Sequence, residues 1–152
     1  MATILLVDDH PESCDAVVAC LEQAGHLVMQ STGAWHALAA LPAVQPDVII
    51  ADIRMPQMDG FAFLRDLREE PLAARIPIII LTGVSDPDLR WRASELGIDR
   101  VFQKGDYDLS ELLKCVDALV EQGTCDAPAP VLQYLIPATL TAQTAPDQLP
   151  AV

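Results

Sequence analysis

The chain has 152 residues, 51% hydrophobic and 20% charged, a globular composition with room for one domain and its core. Its 22 acidic and 9 basic side chains leave a net charge of −13, which argues against a nucleic-acid backbone or an anionic membrane as direct partner. Cys14, Cys20, Cys115 and Cys125 are too sparse for a disulfide scaffold and lack metal-ligand spacing, so they read as buried or idle thiols in a reducing compartment.

Only the short apolar run Ile4–Val7 follows the start, with no basic segment before it, so no signal peptide is expected and the chain reads as cytoplasmic. That run is the first of five that read as buried strands; the others are Leu27–Gln30, Val48–Ala51, Ile78–Leu81 and Arg100–Phe102. Amphipathic stretches separate them. Cys14, Val17, Val18 and Leu21 follow helical spacing, as do Leu109, Leu112, Leu113 and Val116. Leu89, Ala93 and Leu96 give a weaker stripe, and 34–41 and 60–69 give shorter helices. Asp86-Pro87 reads as an N-cap with proline at the first helical position, and Asp108 with Glu111 as a capping box. Gly25, Gly97 and Gly123 mark helix stops, and Pro42 and Pro71 are expected to end the other two helices. Strands and helices in strict alternation predict an α/β fold, a doubly wound parallel sheet with helices on both faces. The domain is expected over residues 1–122. Residues 123–152 read as an uncharged, proline-rich tail, flexible or docking, whose Pro128, Pro130, Pro137, Pro146 and Pro150 forbid a continuous or membrane-spanning helix.

Ligands of such sheets bind beyond the carboxyl ends of the strands. Asp8 and Asp9 follow the first strand, Asp52 the third, Thr82-Gly83 the fourth and Lys104 the fifth. Converging carboxylates repel one another by roughly 4 kcal/mol per pair at 4 Å and an effective dielectric near 20. A bound Mg²⁺, which favours an octahedron of oxygens, relieves that repulsion. Singly, each of these residues is commonplace as a turn, cap or solvated side chain; the conjunction at successive strand ends is not.

The motifs LLVDD at 5–9, DVIIADIRMPQMDG at 47–60, PIIILTG at 77–83 and VFQK at 101–104 resemble those of response-regulator receiver domains of two-component signalling. The resemblance covers about residues 3–121 and is most specific from Asp52 to Gly60. It implies a flavodoxin-like five-stranded order 2-1-3-4-5, with Asp52 as phosphoacceptor toward a phosphohistidine or a small acyl phosphate. It further implies Mg²⁺ bound directly by Asp9 and Asp52, through water by Asp8, and by the main-chain carbonyl of Arg54. Lys104 would pair with Asp52 and then with the phosphoryl group, to which Thr82 would donate its hydroxyl and Gly83 its peptide N–H. The physical logic agrees, because phosphoryl transfer is helped mainly by positioning and charge neutralisation.

Three positions depart from the family pattern. Gly105 follows Lys104 where proline is common; Val101 stands where an aromatic switch residue is usual, with Phe102 turned to the other face; and Arg54 and Val84 border the path of hydrolytic water. His10, His26 and His36 are scattered and read as non-catalytic, while Trp91 with Arg90 and Arg92 reads as a half-buried Trp or a partner patch. The tail has no basic residue and is too short for a helix-turn-helix unit, so no direct DNA binding is expected. The chain therefore reads as a stand-alone receiver, a signalling phosphoacceptor rather than a metabolic enzyme. Its expected partners are a sensor histidine kinase or phosphotransfer protein and a downstream protein target, with no membrane partner and with a homodimer left open. A terminal regulator and a phosphorelay carrier share every site residue. Two other classes stay open: a receiver-like scaffold that is never phosphorylated, and a haloacid-dehalogenase-like phosphatase, against which the adjacent Asp8-Asp9 pair and the lack of a cap insertion count.

Overall fold

Runs of Ile, Val and Leu build the sheet because branched side chains pack well on a pleated, two-sided surface. In the computed structural model, which describes residues 1–55, 58–83, 87–98, 100–103 and 107–122, the strands in chain order are β1 (Thr3–Val7), β2 (Leu27–Ser31), β3 (Val48–Ala51), β4 (Arg54–Met55), β5 (Met58–Asp59), β6 (Ile78–Thr82) and β7 (Arg100–Gln103). Five of them form one parallel sheet in the order β2-β1-β3-β6-β7, which is 2-1-3-4-5 when those five alone are counted. β4 and β5 form a separate two-residue antiparallel ladder inside the loop after β3. Its arms are too short to leave a periodic signal, and sequence reading missed it.

Strand alternation divides the core in two. Leu5, Val7, Ile49, Ala51, Ile78, Ile80 and Val101 face one layer, formed by α2 (Ala34–Val44), α3 (Gly60–Glu69) and α4 (Pro87–Glu95). Ile4, Leu6, Val48, Ile50, Ile79, Leu81 and Phe102 face the other, formed by α1 (Asp15–Gln23) and α5 (Leu109–Gln122). Helices therefore cover both faces, as the alternating pattern predicts. Among the described residues no helix is long and apolar enough to cross a membrane.

Two expectations are corrected. The first is that Leu27–Gln30 forms a buried strand: β2 is the edge of the sheet, and Leu27 is 50% and Met29 42% exposed. The second is that Pro42 ends its helix: α2 runs through Pro42 to Val44 and stops at Gln45, which adopts the left-handed conformation (φ 46°, ψ 62°) while its N–H bonds to the Leu41 carbonyl. A proline in the last turn removes one internal hydrogen bond near an end where carbonyls already lack partners, so the helix survives it.

The glycine stops at 25 and 97 hold. Gly25 and Gly97 have positive φ, and each is followed by an N–H that reaches five residues back, His26 to Leu21 and Ile98 to Ala93, closing α1 and α4 in the same way. Arg68, in the last turn of α3, was not anticipated. Its guanidinium donates to the carbonyls of Leu96 at 3.1 Å, Ile76 at 2.8 Å and Gly97 at 3.0 Å, tying α3 to the end of α4 and to the approach to β6. Asp86, Asp99 and Gly123, with the rest of the tail, lie outside the described residues.

At the start of α5 the Asp108 carboxylate accepts the N–H of Ser110 at 3.0 Å, so the cap forms on the second helical residue rather than as the full box expected with Glu111. The Ser110 backbone N–H, then its hydroxyl, holds the Asp108 carboxyl below its ordinary value of 3.8, with a smaller contribution from Lys114 and against a slight desolvation. A carboxyl lowered on folding stabilises the native state above its unfolded pKa and loses that contribution as pH falls through its folded pKa. Asp108→Ala is expected to lower the thermal midpoint at neutral pH, with the gap to the parent closing as pH drops below 3.8, as followed by circular dichroism at stepped pH.

Candidate functional site

Register brings the ends of two strands together. Val7 of β1 pairs with Ala51 of β3, and the next residue of each strand is an aspartate. The Asp52 N–H donates to the Val7 carbonyl at 2.9 Å, so Asp52 leaves the sheet beside the point where Asp8 leaves it. Asp8 and Asp52 are 3% and 8% exposed. On the next strand Ala51 pairs with Ile80, which sets Thr82, fully buried, two residues beyond that rung at the same rim. Gln103 pairs with Thr82 on β7 and is the last described residue of that strand; Lys104, Gly105 and Val84 lie outside the described residues.

The Asp8 carboxylate is held from two sides. The His10 N–H donates to Oδ1 at 2.8 Å and the Cys14 thiol donates to Oδ2 at 3.0 Å. Cys14 opens α1 after a short 3₁₀ turn (Pro11–Cys14) and is buried, so this thiol is not idle: it orients an acidic side chain of the rim. No spacing rule would have found it, because the turn that brings Cys14 back to Asp8 is visible only once folded.

Asp9 is held differently. Its Oδ1 is buried and 3.0 Å from His10 Nδ1, yet outside hydrogen-bonding geometry, so among the described residues it makes no hydrogen bond. Asp8, Asp9 and His10 can bring one ligand atom each to within 4.8 Å of one another. A buried carboxylate oxygen without a hydrogen bond is costly unless something cationic joins it. The donor set is dominated by carboxylate oxygens, which suit a hard divalent cation such as Mg²⁺.

The loop from Asp52 to Gly60 is shaped by a close approach. Any Cβ at Gly60 would collide with the main chain of Ile53, at its Cα, carbonyl carbon and carbonyl oxygen. With β4 pairing to β5, this contact folds the segment after Asp52 back against the start of α3 and explains the Asp59-Gly60 pair in physical terms. Gly83 differs: a Cβ there would meet nothing within 4 Å, so open space lies beside the chain after Thr82.

Val101 and Phe102 face opposite layers, as strand alternation predicts. Phe102 packs against Tyr107 with ring centroids 5.4 Å apart, inside the α1–α5 layer. Val101 is buried on the side that Thr82 shares by alternation with Ile80. Of the other residues singled out, His26 lies at the opposite end of the sheet, accepting the Ala2 N–H at Nδ1 (3.1 Å) with Nε2 2.9 Å from Asp117, a tether and not a member of the rim. Trp91 is 41% exposed, and the Arg92 guanidinium stacks 3.8 Å from the Phe61 ring centroid.

Residues 4–117 match the family model described as the response regulator receiver domain. The chain is 32% identical over 121 residues to protein PilH of Pseudomonas aeruginosa, an alignment covering 79% of this chain and 98% of that protein. It is 33% identical to the gliding motility regulatory protein of Myxococcus xanthus and to the transcriptional regulator RpaA of Synechocystis, but spans only 15% and 50% of their lengths. Among solved structures, chemotaxis protein CheY4 of Vibrio cholerae superposes with a TM-score of 0.70 at 31% identity, covering 77% of this chain and 97% of that one.

The close approach at Gly60 yields a test. Gly60→Ala is expected to push Ile53 away and displace the segment after Asp52, lowering stability by about 1–3 kcal/mol in a denaturant titration. An unchanged midpoint would mean that the loop accommodates a methyl group there.

Proposed function

The chain belongs to the response regulator receiver family of two-component signalling, and we propose that Asp52 is its phosphoacceptor. The observation that carries this reading is that Asp52 follows the end of a central strand whose last rung joins it to the end of β1, where Asp8 follows, and that Thr82 ends the neighbouring strand at the same rim. In the reaction a carboxylate oxygen of Asp52 attacks phosphorus on the phosphohistidine of a sensor kinase or phosphotransfer protein, or on a small acyl phosphate. An O–P bond forms, the bond to the leaving imidazole or carboxylate breaks, and an aspartyl phosphate results.

Asp9 and Asp52 would hold Mg²⁺ with the main-chain carbonyl of Arg54, and Asp8 would act through a water. When bound, the ion neutralises charge on the phosphoryl oxygens. Thr82 would donate its hydroxyl to one phosphoryl oxygen and Gly83 its N–H to the same region, where there is open space. Lys104 would pair with the Asp52 carboxylate before transfer and with the phosphoryl group after it. The Cys14 and His10 donors keep Asp8 oriented throughout. The chain would promote its own phosphorylation and dephosphorylation and act on no metabolite, working in the cytoplasm and signalling through contacts with a downstream protein.

Incubation with acetyl phosphate and Mg²⁺ followed by intact-mass measurement tests this. The parent is expected to gain one phosphoryl group in an adduct labile to base, Asp52→Asn to gain none while keeping its circular dichroism, and chelation of the metal to abolish labelling. An Asn variant that labels as well as the parent contradicts the assignment. Asp9→Ala is expected to weaken Mg²⁺ binding more than Asp8→Ala; equal losses would contradict the division between direct and water-mediated ligands.

Val101 carries a second expectation. A β-branched side chain has little χ1 freedom with which to gate a switch. Val101→Ala should cost roughly 2 kcal/mol of stability and leave the phosphorylation yield of the folded fraction unchanged. A yield that changes at unaltered stability would make Val101 a switch element.

A further inference from the structure

In a protein of net charge −13, the segment between Glu22 and Asp47 contains no Asp, Glu, Lys or Arg. That segment folds into β2 and α2, and it holds three of the large apolar side chains most open to solvent, Leu27, Met29 and Trp35, the last 68% exposed. Leu27 and Met29 pair in register with Thr3 and Leu5, and Leu5 packs in the layer with Ala34, Ala37 and Leu41 of α2. The exposed side chains of β2 and the helix carrying Trp35 are therefore on the same side of the sheet.

Among the described residues β2 is also an open edge. The Leu27 N–H bonds to the Ala2 carbonyl and the Ser31 carbonyl accepts the Asp8 N–H, so residues 27, 29 and 31 turn their main-chain groups inward to β1. By strand alternation Val28 and Gln30 turn theirs outward. Edge strands are ordinarily protected by charge, proline or a bulge, and Leu27–Ser31 has none of these.

The chain itself supplies an occupant for this edge. α5 ends at Gln122 with residues 123–152 still to follow. The 2.9 Å contact between His26 and Asp117 fixes the C-terminal half of α5 beside the entrance to β2. Residues 123–130 extend to roughly 26–29 Å, ample to pass from Gln122 around the start of β2. The next segment, Val131-Leu132-Gln133-Tyr134-Leu135-Ile136, is bounded by Pro130 and Pro137 and is the length of a strand. It too is uncharged, so its docking on β2 would strip water from no charged group on either side. Arriving from the entrance to β2, it would run parallel to it, as the rest of the sheet does.

We propose that Val131–Ile136 adds to the open edge of β2 as a sixth parallel strand, bonding the outward main-chain groups of Val28 and Gln30 and covering Leu27, Met29 and the indole of Trp35. Alternation gives the segment two sets, Leu132, Tyr134 and Ile136 on one face and Val131, Gln133 and Leu135 on the other, so each face brings apolar side chains to its layer.

The test uses the full chain with Trp91→Phe, which leaves Trp35 as the sole indole. At low protein concentration Trp35 emission is expected at the wavelength of a covered indole, and the Val28 and Gln30 amides are expected to resist hydrogen exchange. Leu132→Asp with Ile136→Asp should shift the emission to the red and remove that protection while leaving the helical part of the circular dichroism unchanged. Met29→Asp, on the receiving side, should deprotect the amides of residues 131–136. Emission of a solvated indole that the tail substitutions do not move would overturn the proposal. So would a blue shift that appears only as concentration rises, together with a doubled solution mass, since a second copy and not the tail would then cover the edge.

Discussion

The bond from the Asp52 N–H to the Val7 carbonyl is the rung at which two central strands end together. Everything at the rim depends on that shared ending. A shift of one residue in the β1–β3 register would turn the side chains of one strand to the other face and carry Asp8 away from Asp52. The buried faces prevent it, because Leu5, Val7, Ile49 and Ala51 must meet one helical layer while Ile4, Leu6, Val48 and Ile50 meet the other. Hydrophobic sorting across the sheet thus sets the strand ends that Asp8 and Asp52 follow side by side.

Because the core sets those strand ends side by side, local contacts have to manage the charge. Asp8 is satisfied by a backbone N–H and by the Cys14 thiol, whereas Asp9 has a buried oxygen without a hydrogen bond among the described residues. Gly60 contributes by absence: its missing Cβ lets α3 begin against Ile53, one residue from Asp52. The dependence runs from core to register, from register to rim, and from the rim to the loop that follows Asp52.

Much of this was legible in the chain because it rests on period and punctuation. Ile and Val runs, glycine stops at 25 and 97, and aspartates directly after the runs define the sheet, its layers and its functional edge. What escaped depends on three-dimensional closure. Cys14 reaches Asp8 through a 3₁₀ turn that has no periodic signature, Arg68 reaches the carbonyls of Leu96 and Gly97 across two helices, and the β4–β5 ladder is shorter than any pattern. Pro42 misled because a proline in a last turn is tolerated where one in mid-helix is not. Leu27–Gln30 misled because an apolar run does not say whether a strand is central or at the edge. The face of β2 and α2 carries no charged side chain, although the end of β2 bonds to Asp8 at the acidic rim.

The central proposal is that Asp8, Asp9 and Asp52 share one cation at the rim that strand register builds. A Mg²⁺ titration of the isotopically labelled full chain, followed by backbone amide NMR, tests it most directly. The account predicts one saturable transition in which the amides of residues 8–10 and 52–54 move together, with that transition weakened at all of them by Asp52→Asn. Shifts scattered over surface carboxylates such as Glu12, Glu22 and Glu69, with Asp9 and Asp52 unmoved, would contradict it.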